Sequence, residues 1–211
     1  MQESVLIVGA GSGLSASLAR LCKSKGMKVV LAARDIEKLK KLKKEINADT
    51  IKCDATNIKS VSNLFKKTDQ IIDTPNLVIY NPSIRLGGSI TDIDPKKAHE
   101  AVNISCYGGF LVAQQAAKRM LKKKRGSIFF TGATASVKGF SNSSVFAMGK
   151  FGLRGLAQSL ARELHPQNIH IGHFIIDGGI GHENYGSYKT IHPDSIAKTY
   201  LQFHYQDKSA W

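Results

Sequence analysis

Six short apolar runs, none of which alternates between polar and apolar residues, are separated along the chain by longer segments with helical spacing. They are Val5–Val8, Val29–Ala33, Thr50–Cys53, Leu77–Tyr80, Ser127–Thr131 and Ile169–Ile176. Strands without alternation are covered on both faces, which is typical of parallel sheets. Helices between successive parallel strands give right-handed crossovers. The pattern therefore predicts an α/β fold with one doubly wound parallel sheet.

The spacing of apolar residues predicts helices at Gly13–Lys25, Asp35–Ile46, Ser144–His165 and Pro193–Tyr205. No strand pattern follows the last of them, so about six strands are expected, with a seventh missing or degenerate. No internal repeat, low-complexity tract or linker divides the 211 residues. We therefore expect residues 1–211 to form a single domain.

The charge of the chain narrows its possible partners. The sequence has 30 Lys and Arg against 16 Asp and Glu, a formal net charge of +14. Such an excess can bind nucleic acid, attract an anionic small molecule, or simply cover solvated helix faces. No motif that reads RNA or DNA is present, so a basic-surface nucleic-acid binder is the least favoured interpretation.

The cysteines and the N-terminus indicate in which cellular compartment the protein is expected to reside. Cys22, Cys53 and Cys106 are odd in number and widely spaced, which argues against a disulfide framework or a metal site. No apolar run approaches the roughly 20 residues that span a bilayer, and Met1–Ser4 lacks the basic start of an export signal. We expect a cytoplasmic protein with no membrane partner and no metal.

A glycine-rich turn follows the first predicted strand and opens the first predicted helix. Glycines let the backbone turn sharply and approach a phosphate, while free N–H groups and the helix dipole attract its charge. A purely structural turn is the alternative. The predicted pyrophosphate-binding residues are Gly9, Gly11, Ser12, Gly13 and Leu14.

Arg34 ends the second predicted strand. An acidic residue at that place accepts hydrogen bonds from the ribose 2′-hydroxyl of NAD, whereas an arginine pairs with the 2′-phosphate of NADP. The sequence therefore predicts NADP(H) in preference to NAD(H). Asp35 follows directly and is expected to cap the next helix.

Two motifs together resemble the short-chain dehydrogenase/reductase family. Gly9 and Gly13 match its Gly-x-x-x-Gly-x-Gly turn, and 144–150 (SVFAMGK) resembles its Tyr-x-x-x-Lys helix start. The resemblance covers Val5 to about His182. It implies a Rossmann-type fold and nicotinamide-dependent oxidation or reduction of a small carbonyl or alcohol.

The resemblance also implies further cofactor contacts. Asp54 matches the family's aspartate that reaches the adenine amino group, with Ala55 beside it. Asn81 matches the asparagine after the fourth strand. Gly178 and Ile180 lie in the family's Pro-Gly-x-Ile/Val site, near the nicotinamide carboxamide, and Lys150 corresponds to the lysine that holds the nicotinamide ribose.

The family's catalytic tetrad is Asn, Ser, Tyr and Lys, and only Lys150 is retained. Phe146 stands in place of the tyrosine, and a phenyl ring can neither donate nor accept a proton. Counting from these residues places Ala133 at the serine and Ser105 at the asparagine. Asn103 is two residues from that position, about 200° around a helix, and is interpreted as a decoy.

Other groups could supply the missing proton. Thr134 and Ser136 are hydroxyls close to Ala133. His182 has a suitable unperturbed pKa for acid–base chemistry, although a loop histidine is more often simply exposed. Gly181–Thr190 is expected to cover an unknown small-molecule substrate, and 181–211 to form the substrate-loop and C-terminal helix region.

Three functions remain open. The first is an NADP(H)-binding short-chain oxidoreductase that works without a tyrosine. The second is a catalytically inactive cofactor-binding or regulatory protein, and the third is the basic nucleic-acid binder. The apolar surface of the helix at 144–165, together with the family resemblance, favours a homodimer formed through the helices at 95–122 and 144–165.

Overall fold

Six parallel strands form one sheet, and this confirms the predicted doubly wound α/β fold. The computed structural model describes residues 2–183 and 190–211. The strands of this sheet are β1 (Ser4–Val8), β2 (Lys28–Ala33), β3 (Asp49–Lys52), β4 (Leu77–Tyr80), β5 (Gly126–Thr131) and β6 (Ile169–Phe174). The strands lie side by side in the order β3-β2-β1-β4-β5-β6. This order reverses between β1 and β4, so the loops that follow these two strands diverge and leave a crevice between them.

Seven α-helices connect and flank the strands in the described part of the chain. They are α1 (Leu14–Ser24), α2 (Lys40–Ile46), α3 (Ile58–Ile72), α4 (Pro95–Val102), α5 (Gly108–Lys123), α6 (Ser144–Leu164) and α7 (Pro193–His204). None of the described helices combines the length and apolarity needed to cross a bilayer.

The core lies on both faces of the sheet. Leu6 and Val8 of β1 belong to a buried cluster with α3, α5 and α6, whereas Val5 and Ile7 belong to one with α1, α2 and α7. This division explains why the strand is apolar at every position. Burial of the two faces supplies the main free energy that holds the layers together.

The long helical segment after β4 is interrupted by a π-turn at Asn103–Tyr107, between α4 and α5. A π-turn inserts an extra residue into the helix, so backbone carbonyls there lose their regular partners. The buried hydroxyl of Tyr80 donates a hydrogen bond to the carbonyl of Ile104. The interruption is therefore stabilised by the end of a core strand.

The C-terminal segment packs on β6, the edge strand. The buried ring of His170 stacks on Trp211, with a centroid distance of 4.4 Å, and lies tilted against Phe203, with a centroid distance of 4.3 Å. Neither ring nitrogen has a hydrogen-bond partner within the described residues. Burial lowers the pKa of His170 to about 4, so the ring is neutral at pH 7.

A separate two-stranded parallel sheet follows β6, formed by β7 (Gly179–Ile180) and β8 (Thr190–Ile191). Among the described residues, the main sheet thus has the six strands that were expected. Residues 184–189, which include most of the predicted substrate loop, lie outside the described residues.

The observed boundaries differ locally from the predicted ones. β6 ends at Phe174 rather than Ile176, because Phe174 is the last residue in register with β5. The helix predicted to begin at Asp35 starts as a 3₁₀ turn at Glu37–Leu39. The carboxylate of Asp35 accepts a hydrogen bond from the backbone N–H of Glu37, but the N-cap of this turn is Ile36 and no side chain caps it, so the predicted capping role of Asp35 is not observed.

Candidate active site

The glycine-rich turn brings the end of β1 against the loop that follows β4. Gly9 has φ +79°, and a Cβ at this position would lie 2.6 Å from Pro82. The backbone N–H groups of Gly9 and Ala10 both donate to the carbonyl of Ala32, at 2.9 Å. The turn therefore requires glycine at position 9 for both backbone conformation and space.

The rest of the turn leaves open space above the start of α1. A Cβ at Gly11 or Gly13 would meet nothing within 4 Å among the described atoms. Gly13 is the N-cap of α1 and provides no side-chain cap, while Ser12 is exposed and Leu14 is buried. Backbone N–H groups at this helix start are consequently available to an anion.

A hydrogen-bonded chain links this turn to the loop after β4. Asn81 donates from its side-chain amide to the hydroxyl of Ser15 at 2.7 Å. The same hydroxyl donates to the carbonyl of Gly9 at 3.2 Å. Asn81 thus holds the first turn of α1 and the glycine turn in register.

A cleft of about 320 Å³ opens at the carboxyl ends of β1, β2, β3 and β4. Of the predicted cofactor residues, it is lined by Gly9, Arg34, Asp54, Ala55 and Asn81. The structure therefore brings together predicted residues that come from four separate segments of the chain.

The charges of this cleft lie at its rim. Arg34 pairs with Glu100 across 3.8 Å, and both side chains are more than half exposed, so the guanidinium can change partner at little cost. Lys38 also lines the cleft and adds a second cation. One oxygen of Asp54 is occupied by the backbone N–H and the hydroxyl of Thr56, at 2.9 and 2.7 Å.

Lys150 lies near a second, larger cleft without lining it. Its ammonium is buried and donates to the carbonyl of Thr131 at 2.7 Å. Burial lowers the pKa of Lys150 to about 8, because the charged form loses hydration that one carbonyl only partly replaces. Within the described residues it forms no ion pair.

Phe146 lines the larger cleft, which has a volume of about 820 Å³. The ammonium of Lys150 lies 5.8 Å from the centroid of its ring. The guanidinium of Arg85 lies 6.0 Å from the same centroid. A ring that carries no titratable group thus lies within about 6 Å of two cations.

The hydroxyls near Ala133 have different surroundings. Ser136 is fully buried and accepts a hydrogen bond from the backbone N–H of Ala133 at 3.1 Å. Thr134 lines the larger cleft and donates to the carboxylate of Asp177 at 2.5 Å. Of the two hydroxyls, only Thr134 is therefore placed to meet a ligand in the cleft.

Ser105 faces α6 from inside the π-turn. A Cβ at Gly149 would lie 2.6 Å from the Cβ of Ser105, so the π-turn and α6 are in close contact one residue before Lys150. The hydroxyl of Ser105 accepts a hydrogen bond from the backbone N–H of Ile84 at 3.3 Å. The side chain of Asn103 instead contacts the imidazole of His99.

His182 lies away from this group. Its ring shares a hydrogen bond with the ring of His192 at 3.0 Å, and it is not among the described residues that line the larger cleft. Gly178 lines that cleft with φ +158°, and Ile180 lies in β7. The geometry leaves His182 without the position that an acid–base group would need.

The sequence did not single out Arg85 or Lys38, and it did not pair Thr134 with Asp177. Arg85 and Lys38 belong to no motif, and only their place after a strand's carboxyl end could have indicated them. The pairing of Thr134 with Asp177 joins residues far apart in the chain, which no local pattern reveals.

Known proteins share this fold and part of its sequence. The family model described as short chain dehydrogenase matches residues 3–180. The crystal structure of a short-chain dehydrogenase from Rhodopseudomonas palustris is 33% identical with a TM-score of 0.88, covering 99% of this chain and 94% of that one. An uncharacterised oxidoreductase of Staphylococcus aureus (strain USA300) is 28% identical over 172 residues, 79% of this chain and 73% of its own length. A metagenomic short-chain oxidoreductase in complex with NADP has the same fold, with a TM-score of 0.86 at 23% identity, covering 98% of this chain and 92% of that one.

The geometry of the glycine turn predicts different effects for two similar substitutions. Gly9→Ala should lower the free energy of unfolding by about 1–3 kcal/mol, because the methyl group meets Pro82 and the backbone has positive φ. Gly11→Ala should stay within about 0.5 kcal/mol of the parent protein, because its Cβ meets nothing. Urea unfolding of the three proteins measures this, and equal stabilities would contradict the close approach at Gly9.

Proposed function

The chain belongs to the short chain dehydrogenase family, and we propose that it is an oxidoreductase that uses NADP(H) to interconvert a small carbonyl compound and its alcohol. The observation that carries the proposal is the smaller cleft. It joins the glycine turn, Asn81 and two basic side chains at the reversal of strand order, which is where open α/β sheets bind dinucleotides.

The residues of this cleft fit a dinucleotide with a 2′-phosphate. The open space over Gly11 and Gly13 leaves room for a pyrophosphate at the start of α1. Arg34 and Lys38 supply positive charge at the end of β2. The carboxylate of Asp35 also lines the cleft and pairs with Lys38 across 3.6 Å, so Arg34 is the cation proposed to meet the 2′-phosphate. In the relative crystallised with NADP the fold is the same. These features support NADP(H) over NAD(H).

A bound nicotinamide supplies or accepts the hydride in such a reaction. Lys150 would hold the nicotinamide ribose with its ammonium close to the larger cleft, and Gly178 and Ile180 would lie beside the carboxamide. Phe146 cannot transfer the proton that accompanies the hydride. Thr134, hydrogen-bonded to Asp177 in the same cleft, is the hydroxyl best placed to pass a proton between substrate and solvent.

Cofactor preference is tested by titration. NADPH should bind more tightly than NADH, and Arg34→Leu should weaken NADPH binding by about tenfold while leaving NADH unchanged, since one charge-assisted hydrogen bond contributes about 1.5–3 kcal/mol. Nicotinamide fluorescence or calorimetry measures both affinities. Arg125→Leu, an exposed arginine outside the cleft, is the matched control. Absence of binding by either dinucleotide would refute the proposed function.

The consequence of Phe146 is tested by restoring the tyrosine. Phe146→Tyr should raise the rate of NADPH-dependent reduction across a panel of small aldehydes and ketones by about 10²–10⁴-fold, the usual contribution of a general acid. Phe146→Leu, which removes the ring without adding a phenol, is the control and should give no gain. If the parent protein and Phe146→Tyr both bind NADPH but turn over no carbonyl compound, including ones that carry a carboxylate or a phosphate, the protein is a cofactor-binding protein rather than an enzyme.

We also propose that two copies pair through the helices at 95–122 and 144–165. Exposed apolar side chains on these segments include Tyr107, Phe110, Met148 and Phe151, and the rings of Tyr107 and Phe110 stack with centroids 6.1 Å apart. An apolar patch of this kind is typical of a protein interface.

Sedimentation equilibrium tests the pairing. The parent protein should sediment at twice the mass of one chain, and Phe151→Asp should sediment as a single chain, because a buried carboxylate would have no partner in the interface. Ile90→Asp introduces the same charge at a more exposed apolar residue outside both helices and should leave the dimer intact. A parent protein that sediments as a monomer would overturn this assignment.

A further inference from the structure

Arg85 projects into the larger cleft without a counter-ion. Its side chain lines the cleft and is exposed, and it forms no ion pair or hydrogen bond with any residue that the structure describes. Its guanidinium contacts the ring of Phe146. Arg34, the arginine that lines the smaller cleft, is by contrast paired with Glu100.

The backbone on both sides of Arg85 is fixed. The N–H of Ile84 is held by the hydroxyl of Ser105 at 3.3 Å, and the N–H of Gly88 donates to the carbonyl of Asn142 at 2.9 Å. These two contacts tie the loop to the π-turn on one side and to the segment before α6 on the other. Arg85 therefore starts from a positioned backbone, which reduces the entropy lost when its side chain is ordered by a ligand.

We propose that Arg85 binds an anionic group of the substrate, a carboxylate or a phosphate, in the larger cleft. The inference rests on the proposed function and names the substrate class of the same site. A guanidinium offers a planar set of donors that matches either anion. It keeps its charge at every physiological pH, so recognition does not depend on a titrating group.

Phe146 serves this arrangement as a flat support. A guanidinium over an aromatic face is attracted by the ring and keeps its N–H donors free at the edge of the plane. Lys150 lies close to the same ring and adds to the positive potential in that part of the cleft. Phe146, which stands in place of the tyrosine, thus also supports the guanidinium of Arg85 that is proposed to bind the anion.

The carboxylate of Asp177 sets the orientation of a ligand. It is engaged by the hydroxyl of Thr134 and forms no ion pair with Arg85 in the described structure. An anion would be repelled from Asp177 and attracted to Arg85, so the charged end of the substrate lies towards Arg85. The uncharged carbonyl or hydroxyl end then lies towards Thr134, where the reaction is proposed to occur.

Calorimetric titration with four stable probes tests the inference in the presence of saturating NADP⁺. The anions are 3-hydroxybutyrate and glycerol 3-phosphate, and their neutral counterparts are methyl 3-hydroxybutyrate and glycerol. We expect one of the anions to bind at least about tenfold more tightly than its neutral counterpart, the effect of a charge-assisted hydrogen bond. The anion that binds distinguishes a carboxylate substrate from a phosphate.

Variants assign the effect to one side chain. Arg85→Gln should remove the preference for the anion, and Arg85→Lys should retain part of it because the charge is kept without the planar donor set. Arg125→Gln is the matched control, because Arg125 is an exposed arginine that lines neither cleft. It should bind as the parent does.

Two results would overturn the inference: neither anion binding more tightly than its neutral counterpart, or Arg85→Gln binding the anion as the parent protein does. Dinucleotide binding is measured first, so the two proposals fail separately. Binding of NADP⁺ without anion preference would refute only the role of Arg85. If NADP⁺ does not bind, the proposed function fails, and the same anion titrations on the free protein still decide the role of Arg85.

Discussion

Tyr80, at the end of β4, donates its hydroxyl to the carbonyl of Ile104 within the π-turn, and the geometry of the larger cleft depends on this contact. The extra residue of the π-turn rotates α5 relative to α4, and Ser105 faces α6 and the loop after β4. The hydroxyl of Tyr80 is buried, and burial raises its pKa far above the usual range. It therefore remains a donor, and the carbonyl that the π-turn releases keeps a partner inside the core.

A series of contacts extends from this hydrogen bond to the cleft. Ser105 touches Gly149 so closely that a larger residue would separate the π-turn from α6, and Lys150 is the next residue along the helix. The hydroxyl of Ser105 also holds Ile84, beside Arg85. Ser105 thus contacts both the residue before Lys150 and the residue before Arg85.

The sequence predicted those structural features that depend on one element of the chain or on consecutive elements. The six strands follow from uninterrupted apolar runs, because a parallel strand is buried on both faces whatever its neighbours are. The glycine turn could be placed because a strand, a turn and a helix are consecutive in the chain. The preference for Ser105 over Asn103 came from counting along the chain and stays a prediction.

The features that the sequence did not reveal depend on contacts between distant segments. The π-turn is invisible in the apolar spacing of 95–122, because its stability comes from Tyr80 in another element. The position of Arg85 depends on Ser105 and Asn142, and Thr134 gains its role only from Asp177. The sequence favoured His182 only through its residue type, and in the fold its ring bonds to His192.

The hydrogen bond between Asn81 and Ser15 connects the glycine turn to the loop that begins at Asn81 and carries Arg85. Both clefts therefore depend on the position of this one loop. Thermodynamic linkage requires that if a ligand on the turn stabilises one position of this loop, a ligand held by the loop must favour binding at the turn by the same factor. Cooperative binding of the two ligands would then be a property of the scaffold in either order of addition, because whichever ligand arrives first prepares the loop for the second.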